Sequence, residues 1–153
     1  MVTRDTFFMQ QAIALAQKAK QANEVPIGAV VVINNEIIGT GFNCPIATCD
    51  PTAHAEIIAL RQAAKTLNNY RLLNTSLYVT VEPCLMCTGA MLHARIKRLI
   101  FGATDPKTGA VISVCNSLDT NQLNHKIQYQ HGILAAKCSK IISDFFKLRR
   151  YIN

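Results

Sequence analysis

Three residues of this chain, His54, Cys84 and Cys87, are of types that bind zinc, and a fourth, Glu56, is of a type that moves protons. They fall in two short runs. His54-Ala55-Glu56 comes first, and Pro83-Cys84-Leu85-Met86-Cys87 follows about one helix–strand unit later. One imidazole and two thiolates give zinc three ligands. Structural zinc sites usually close with four protein ligands, whereas catalytic sites keep one position for water. A carboxylate not needed as a ligand can then carry protons. The pattern points to a hydrolase that activates water.

Spacing limits how these side chains can meet. Cys84 and Cys87 are three apart, so on a helix they face the same side about one turn apart. Pro83 suits a helix start, where the dipole and free amides favour thiolate over thiol. By itself a C-x-x-C pair fits zinc or redox chemistry equally well. His54 and Glu56 are two apart, and in mid-helix such residues point to nearly opposite sides. They can serve one metal only at a helix entry. Pro51-Thr52 supplies the break, with Thr52 as the expected N-cap. Singly, His54 reads as a packing residue and Glu56 as a solvated charge at a helix start. Two such runs, each at a helix start, overturn both readings. Glu82 reads as a helix-entry charge or a local orienting group, with no catalytic role. Met86 and Met91 read as core or interface filling.

The elements around these runs are legible. Met1 to Ala22 reads as an amphipathic helix, with Phe8, Ala12, Leu15, Ala16 and Ala19 at helical spacing, ended by Asn23 and Pro26. Ile27 to Ile33 is an apolar, β-branched run. Asn34-Asn35 turns it into Glu36 to Phe42, a hairpin whose second strand Gly39 and Gly41 should weaken. Residues 43–52, with Pro45 and Pro51, read as a loop. A helix from Thr52 or Ala53 to about Leu67 carries Ile57, Leu60, Ala64 and Leu67 on one stripe. Ser76 to Val81 is a strand, Cys84 to His93 a helix and Leu99 to Gly102 a strand. Asp105 to Gly109 is a turn, and Asn116 to Asn124 a polar loop. Ile127 to Tyr129 is a strand, and Ile133 to Arg150 one or two helices. Strands alternating with helices after a hairpin predict an α/β fold, whose sites lie at the carboxyl ends of strands.

At 153 residues the chain is expected to form one domain, residues 1–153, around one core. Half of it is hydrophobic and only 16% charged, which excludes a disordered chain. No apolar run is long enough for a membrane span, and the first residues lack a secretory pattern. The six cysteines are therefore expected to be thiols in a cytoplasmic protein. Cys44, Cys49, Cys115 and Cys138 lie outside the metal pattern, as small hydrophobes or loop thiols. The net charge of +7 suits an anionic partner. Lys126, Lys137, Lys140, Lys147, Arg149 and Arg150 face only Asp144 in the last segment, with Phe145, Phe146 and Tyr151 interleaved. That composition suits phosphates and base stacking, or a terminal helix with Phe145 and Leu148 packed inward and its cations solvated.

H-x-E followed by P-C-x-x-C is the known signature of zinc nucleobase deaminases, a class whose familiar members include the tRNA adenosine deaminases. The chain resembles the bacterial tRNA-specific adenosine deaminases from roughly Phe7 to Arg150. Besides the two runs, the likeness rests on Pro26-Ile27-Gly28-Ala29-Val30, Gly41-Phe42-Asn43, Asp50-Pro51-Thr52-Ala53 and Tyr78-Val79-Thr80-Val81-Glu82. It extends to Phe101-Gly102-Ala103, Lys107-Thr108-Gly109-Ala110 and Asp144-Phe145-Phe146. Cys44 and Cys49 depart from the more polar or basic loop of such relatives.

The resemblance implies a three-layer α/β/α sandwich of the cytidine deaminase type. Its central mixed sheet has about five strands and an initial antiparallel hairpin. It implies one Zn²⁺ per chain on His54, Cys84 and Cys87, with Glu56 shuttling protons as an activated water attacks adenine. It implies Asn43 as the base-reading amide, with Ile27 and the Ala55 backbone lining the pocket. Asp105, Lys107, Lys147, Arg149 and Arg150 are the expected contacts to flanking nucleotides of a tRNA anticodon stem-loop. A homodimer is also implied, and no membrane partner. Two rival readings share the scaffold. One is a deaminase of free guanine, cytosine or cytidine. The other is a non-catalytic zinc module that binds RNA, its metal closed by a fourth ligand such as His93 or Cys115.

Overall fold

The computed structural model describes residues 2–152, so Met1, placed in the first helix above, lies outside them. Helix α1 spans Arg4–Gln21, with Thr3 as its N-cap accepting a hydrogen bond from the Thr6 amide. Its stripe of Phe8, Met9, Ala12, Ile13, Ala16 and Ala19 is buried. Strands β1 (Gly28–Ile33) and β2 (Glu36–Phe42) form the expected hairpin. Asn34 and Asn35 both take positive φ at the turn, the conformation that a tight hairpin requires and that Asn tolerates.

The chain continues through α2 (Pro45–Thr48), α3 (Ala55–Leu67), β3 (Ser76–Val81) and α4 (Leu85–Ala94). It then forms β4 (Arg98–Ala103), β5 (Gln128–His131) and α5 (Ala135–Ile152), the last a single helix. The sheet order is β2-β1-β3-β4-β5. β1 is antiparallel to both neighbours, whereas β3, β4 and β5 run parallel. β1 is almost wholly buried, as a central strand covered on both faces must be.

One face packs Val30, Val32, Tyr78 and Ile100 against α1 and against Cys138 and Ile141 of α5. The other packs Val31, Leu77, Val79, Leu99 and Phe101 against α3 and α4. Each such aliphatic side chain contributes about 1.5–3 kcal/mol when fully buried. The result is the three-layer sandwich with a mixed five-stranded sheet.

Three expectations need correction. Gly39 and Gly41 do not weaken β2. A Cβ at Gly41 would lie on the Ala55 carbonyl and Ala59 amide of α3, and one at Gly39 on Ala59 and Ala63. The bare backbone lets α3 sit directly on the strand. Residues 43–52 are not all loop, because α2 forms within them. Thr52 is not the N-cap of α3. Its amide and hydroxyl donate to Asp50, and His54 takes the cap position.

Candidate metal centre and active site

His54 and Cys84 occupy equivalent places. Each is the N-cap of a helix, α3 and α4, each has extended backbone, and neither side chain caps its own helix. Both are therefore free to point away from the helix start. Cys87 follows on the first turn of α4 and is fully buried. His54 Nδ1 lies 3.6 Å from Cys84 Sγ and 3.5 Å from Cys87 Sγ. The three ligand atoms lie within 4.8 Å of one another, and no other residue joins the group among those described. His93 and Cys115 are exposed and outside it. One imidazole nitrogen and two sulphurs are a donor set that suits zinc. They stop one short of the four protein ligands of a closed structural site.

The electrostatics favour a cation. The Cys84 thiol is lowered to about 4 by hydrogen bonding from Cys87 and from His54, against the opposing effect of burial. Cys87 moves the other way, raised by its bond to the Cys84 thiolate and by burial. His54 is raised by its hydrogen bond to Cys84, although burial works against it. A dication held by these groups would displace those protons. Glu56, on the first turn of α3 and 4% exposed, is raised above the usual carboxylate range by burial. It lies beside Cys87 and is no member of the ligand group. A carboxyl raised in this way sits nearer the pH at which it can both take and give a proton.

Asn43 is buried, and its Oδ1 accepts from the Ala55 amide at 2.8 Å. It thus caps α3 from outside, doing for the helix what His54 does not. Its Nδ2 has no hydrogen-bond partner among the described residues. The Ala55 N–H is consequently taken by Asn43, and Ala55 itself is buried. Ile27, half-buried, accepts from the Asn43 amide through its carbonyl. It also lines a cleft of about 500 Å³, with Val81, Ala103, Asp105, Lys107 and Phe146 among its other walls.

The remaining expected contacts divide. Asp105 is committed to its turn, its two carboxylate oxygens accepting from the Lys107 and Thr108 amides and the Thr108 hydroxyl. Lys107 is exposed at the cleft. Lys147 and Arg150 are exposed on α5 and do not line it. Arg149 stacks over Phe145 at 4.6 Å and donates to the Asn23 carbonyl, so its guanidinium ties α5 to the end of α1. Phe145 packs inward, whereas Leu148 is exposed.

Two buried carboxylates hold loops: Glu24, which sequence reasoning missed, and Glu82, read there as a helix-entry charge or a local orienting group. Glu24, 1% exposed, accepts from the Ile46 and Ala47 amides and so holds α2. Glu82, 4% exposed, accepts from the Asp105, Val111, Ile112 and Ser113 amides and the Ser113 hydroxyl. Burial opposes its ionisation, yet these bonds lower it to about 2. A carboxylate closing an apolar strand directly before a proline is the signal that marks Glu82.

The chain's likeness to known proteins now bears on this geometry. The family model of the MafB19-like deaminases matches residues 3–150. The chain is 54% identical to a tRNA-specific adenosine deaminase of Haemophilus influenzae, across 95% of this chain and 85% of that one. A tRNA-specific adenosine deaminase of Buchnera aphidicola is 51% identical, across 97% and 91%. The chain belongs to this deaminase family. Among solved structures, one from a study of A-to-I editing by tRNA:A34 deaminases superposes with a TM-score of 0.86 at 40% identity. It covers 89% of this chain and 99% of that one. A guanine deaminase from Nitrosomonas europaea, at 22% identity and a TM-score of 0.76, shares the fold.

Proposed function

We infer that this protein hydrolytically deaminates adenosine to inosine at the wobble position of a tRNA anticodon. The observation that carries this is the three-member ligand group with a separate buried carboxylate, in a chain 54% identical to a tRNA-specific adenosine deaminase. The free-base reading rests on a fold shared at 22% identity. The non-catalytic module needs a fourth protein ligand, and His93 and Cys115 are not in the group.

His54, Cys84 and Cys87 would hold one Zn²⁺. When bound, it supplies a water acidified enough to act as a nucleophile near neutral pH. The protein's own residues do the rest. Glu56 accepts a proton from the nucleophile and delivers it to N1 of adenine. The nucleophile's oxygen bonds to C6, and Glu56 next takes that oxygen's remaining proton and passes it to the amino group, so that the C6–N bond breaks and ammonia departs. Asn43 presents Nδ2 to the purine edge while its Oδ1 stays on Ala55. Ile27, Asp105 and Lys107 shape the approach, and Lys147, Arg149 and Arg150 supply positive charge along α5. A base flipped from an anticodon loop costs little to expose.

Incubation with total tRNA should produce inosine at the wobble position. Glu56→Ala should cut the rate by about 10²-fold or more while the metal content holds. Turnover of free adenosine, cytidine or guanine with none of an anticodon stem-loop would overturn the reading.

The homodimer is part of the same proposal. Helix α4 presents Leu85 and Met86 to solvent, 65% and 37% exposed, beside the metal ligands it carries. Sedimentation velocity should give twice the chain mass for the native protein and a monomer for Leu85→Glu. A native monomer would defeat it. A cytoplasmic location is proposed too, supported by six unpaired cysteines.

A further inference from the structure

We propose that Glu82 is a positioning residue for substrate binding, holding residues 104–113 so that Thr104 to Thr108 form a preformed wall of the cleft that Ile27 also lines. The inference rests on the anticodon reading, because that cleft is where a nucleotide flanking the target base would lie.

Burying a carboxylate is unfavourable unless it is well hydrogen-bonded. Glu82 meets that condition with one loop alone. It accepts from Asp105 at 3.0 Å, Val111 at 3.1 Å, Ile112 at 2.9 Å and Ser113 at 3.0 Å. The adjoining Pro83 carbonyl accepts from Ala110 at 2.8 Å. The loop is thereby joined at both ends to the two residues that precede Cys84.

Gly109 completes the fit. A Cβ there would strike the Glu82 carboxylate, so the loop closes over the anion only with a bare backbone at that position. Between these attachments the loop presents Asp105, Pro106, Lys107 and Thr108 to the cleft, opposite Ile27 and Phe146. His54, Glu56 and Asn43 hang on other elements. Glu82 therefore acts on where the substrate sits and not on the reacting atoms.

Glu82→Gln keeps the shape but places an amide N–H₂ against donors. Gly109→Ala disturbs the same contact from the loop side, away from the metal ligands. Both variants should raise KM for an anticodon stem-loop about tenfold, the loss expected for charge-assisted hydrogen bonds. Both should keep kcat within about twofold and metal content at the native level. Amide exchange at Val111, Ile112 and Ser113 should quicken about tenfold, with Val79 in the sheet unchanged. A role confined to stability would instead lower the active fraction, and so kcat, at constant KM. Constant KM in both variants, or loss of metal from Gly109→Ala, would overturn the proposal. A native enzyme that leaves the stem-loop untouched overturns the substrate reading, and this role with it.

Discussion

Asn43 shows how one side chain can both cap a helix and keep a donor free for a ligand. Its Oδ1 fills the capping role at α3 that His54 leaves open, and its Nδ2 is unengaged among the described residues. The two roles separate by substitution. Asn43→Asp keeps an oxygen for the Ala55 amide and loses the donor. It should melt within about 2 °C of the native protein yet deaminate at least about tenfold more slowly, as a lost hydrogen bond to the base predicts. Asn43→Ala loses both and should also be destabilised by about 1 kcal/mol, the usual value of a cap. Equal melting losses in the two variants would show that the amide is structural only. His54, Glu56, Cys84 and Cys87 were legible because donor chemistry and spacing restrict them. Glu24 was not, and for Glu82 an orienting role could be read but not the loop it holds, because their partners are backbone amides far along the chain, and amides carry no residue type to read.

At the scale of elements, periodicity located strands and helices well. β2 and β3 fall where the Asn34-Asn35 turn and the apolar run of 76–81 place them, and α5 resolves as one helix. The failures are local and physical. α2 is four residues long, too short for a period, and it forms because Glu24 supplies acceptors for its first amides. The start of α3 shifts from Thr52 to Ala55 because Asp50 captures Thr52 and Asn43 captures the Ala55 amide. Gly39 and Gly41 looked like weak strand residues. Their purpose appears only when α3 is packed on β2, because the contact that excludes a methyl group lies on another element.

Across the molecule, a polar cluster ties α1 to three strands. Tyr78 of β3 donates to Asp5 at 2.6 Å, Arg98 of β4 at 3.1 Å and Gln130 of β5 at 3.3 Å. Burial, then the bond to Asp5, raises Tyr78 to about 12. Asp5 is lowered, its bonds to Tyr78 and Arg98 outweighing burial. The unfolded tyrosine ionises near pH 10, so the contribution of Tyr78 is constant below that pH and is lost as pH rises from about 10 through 12. The Asp5 contribution is present above its ordinary value and is lost as pH falls below it. Tyr78→Phe should cost about 2 kcal/mol at pH 8. In urea, its midpoint should also decline less between pH 10 and 11.5 than that of the native protein. Parallel declines would remove Tyr78 as the source.

The sequence by itself determined the candidate ligands and proton carrier, the helix entries they require, the hairpin and the α/β class. These follow from residue type and from periods within a few neighbours. Only the tertiary structure decided that His54 and Cys84 are paired N-caps with free side chains and that Asn43 caps α3 from outside. It also decided that Arg149 joins α5 to α1, and that Glu82 holds the loop of residues 104–113. Each of those depends on which backbone amide or carbonyl from a distant segment arrives within hydrogen-bond reach, and only the folded chain sets that distance.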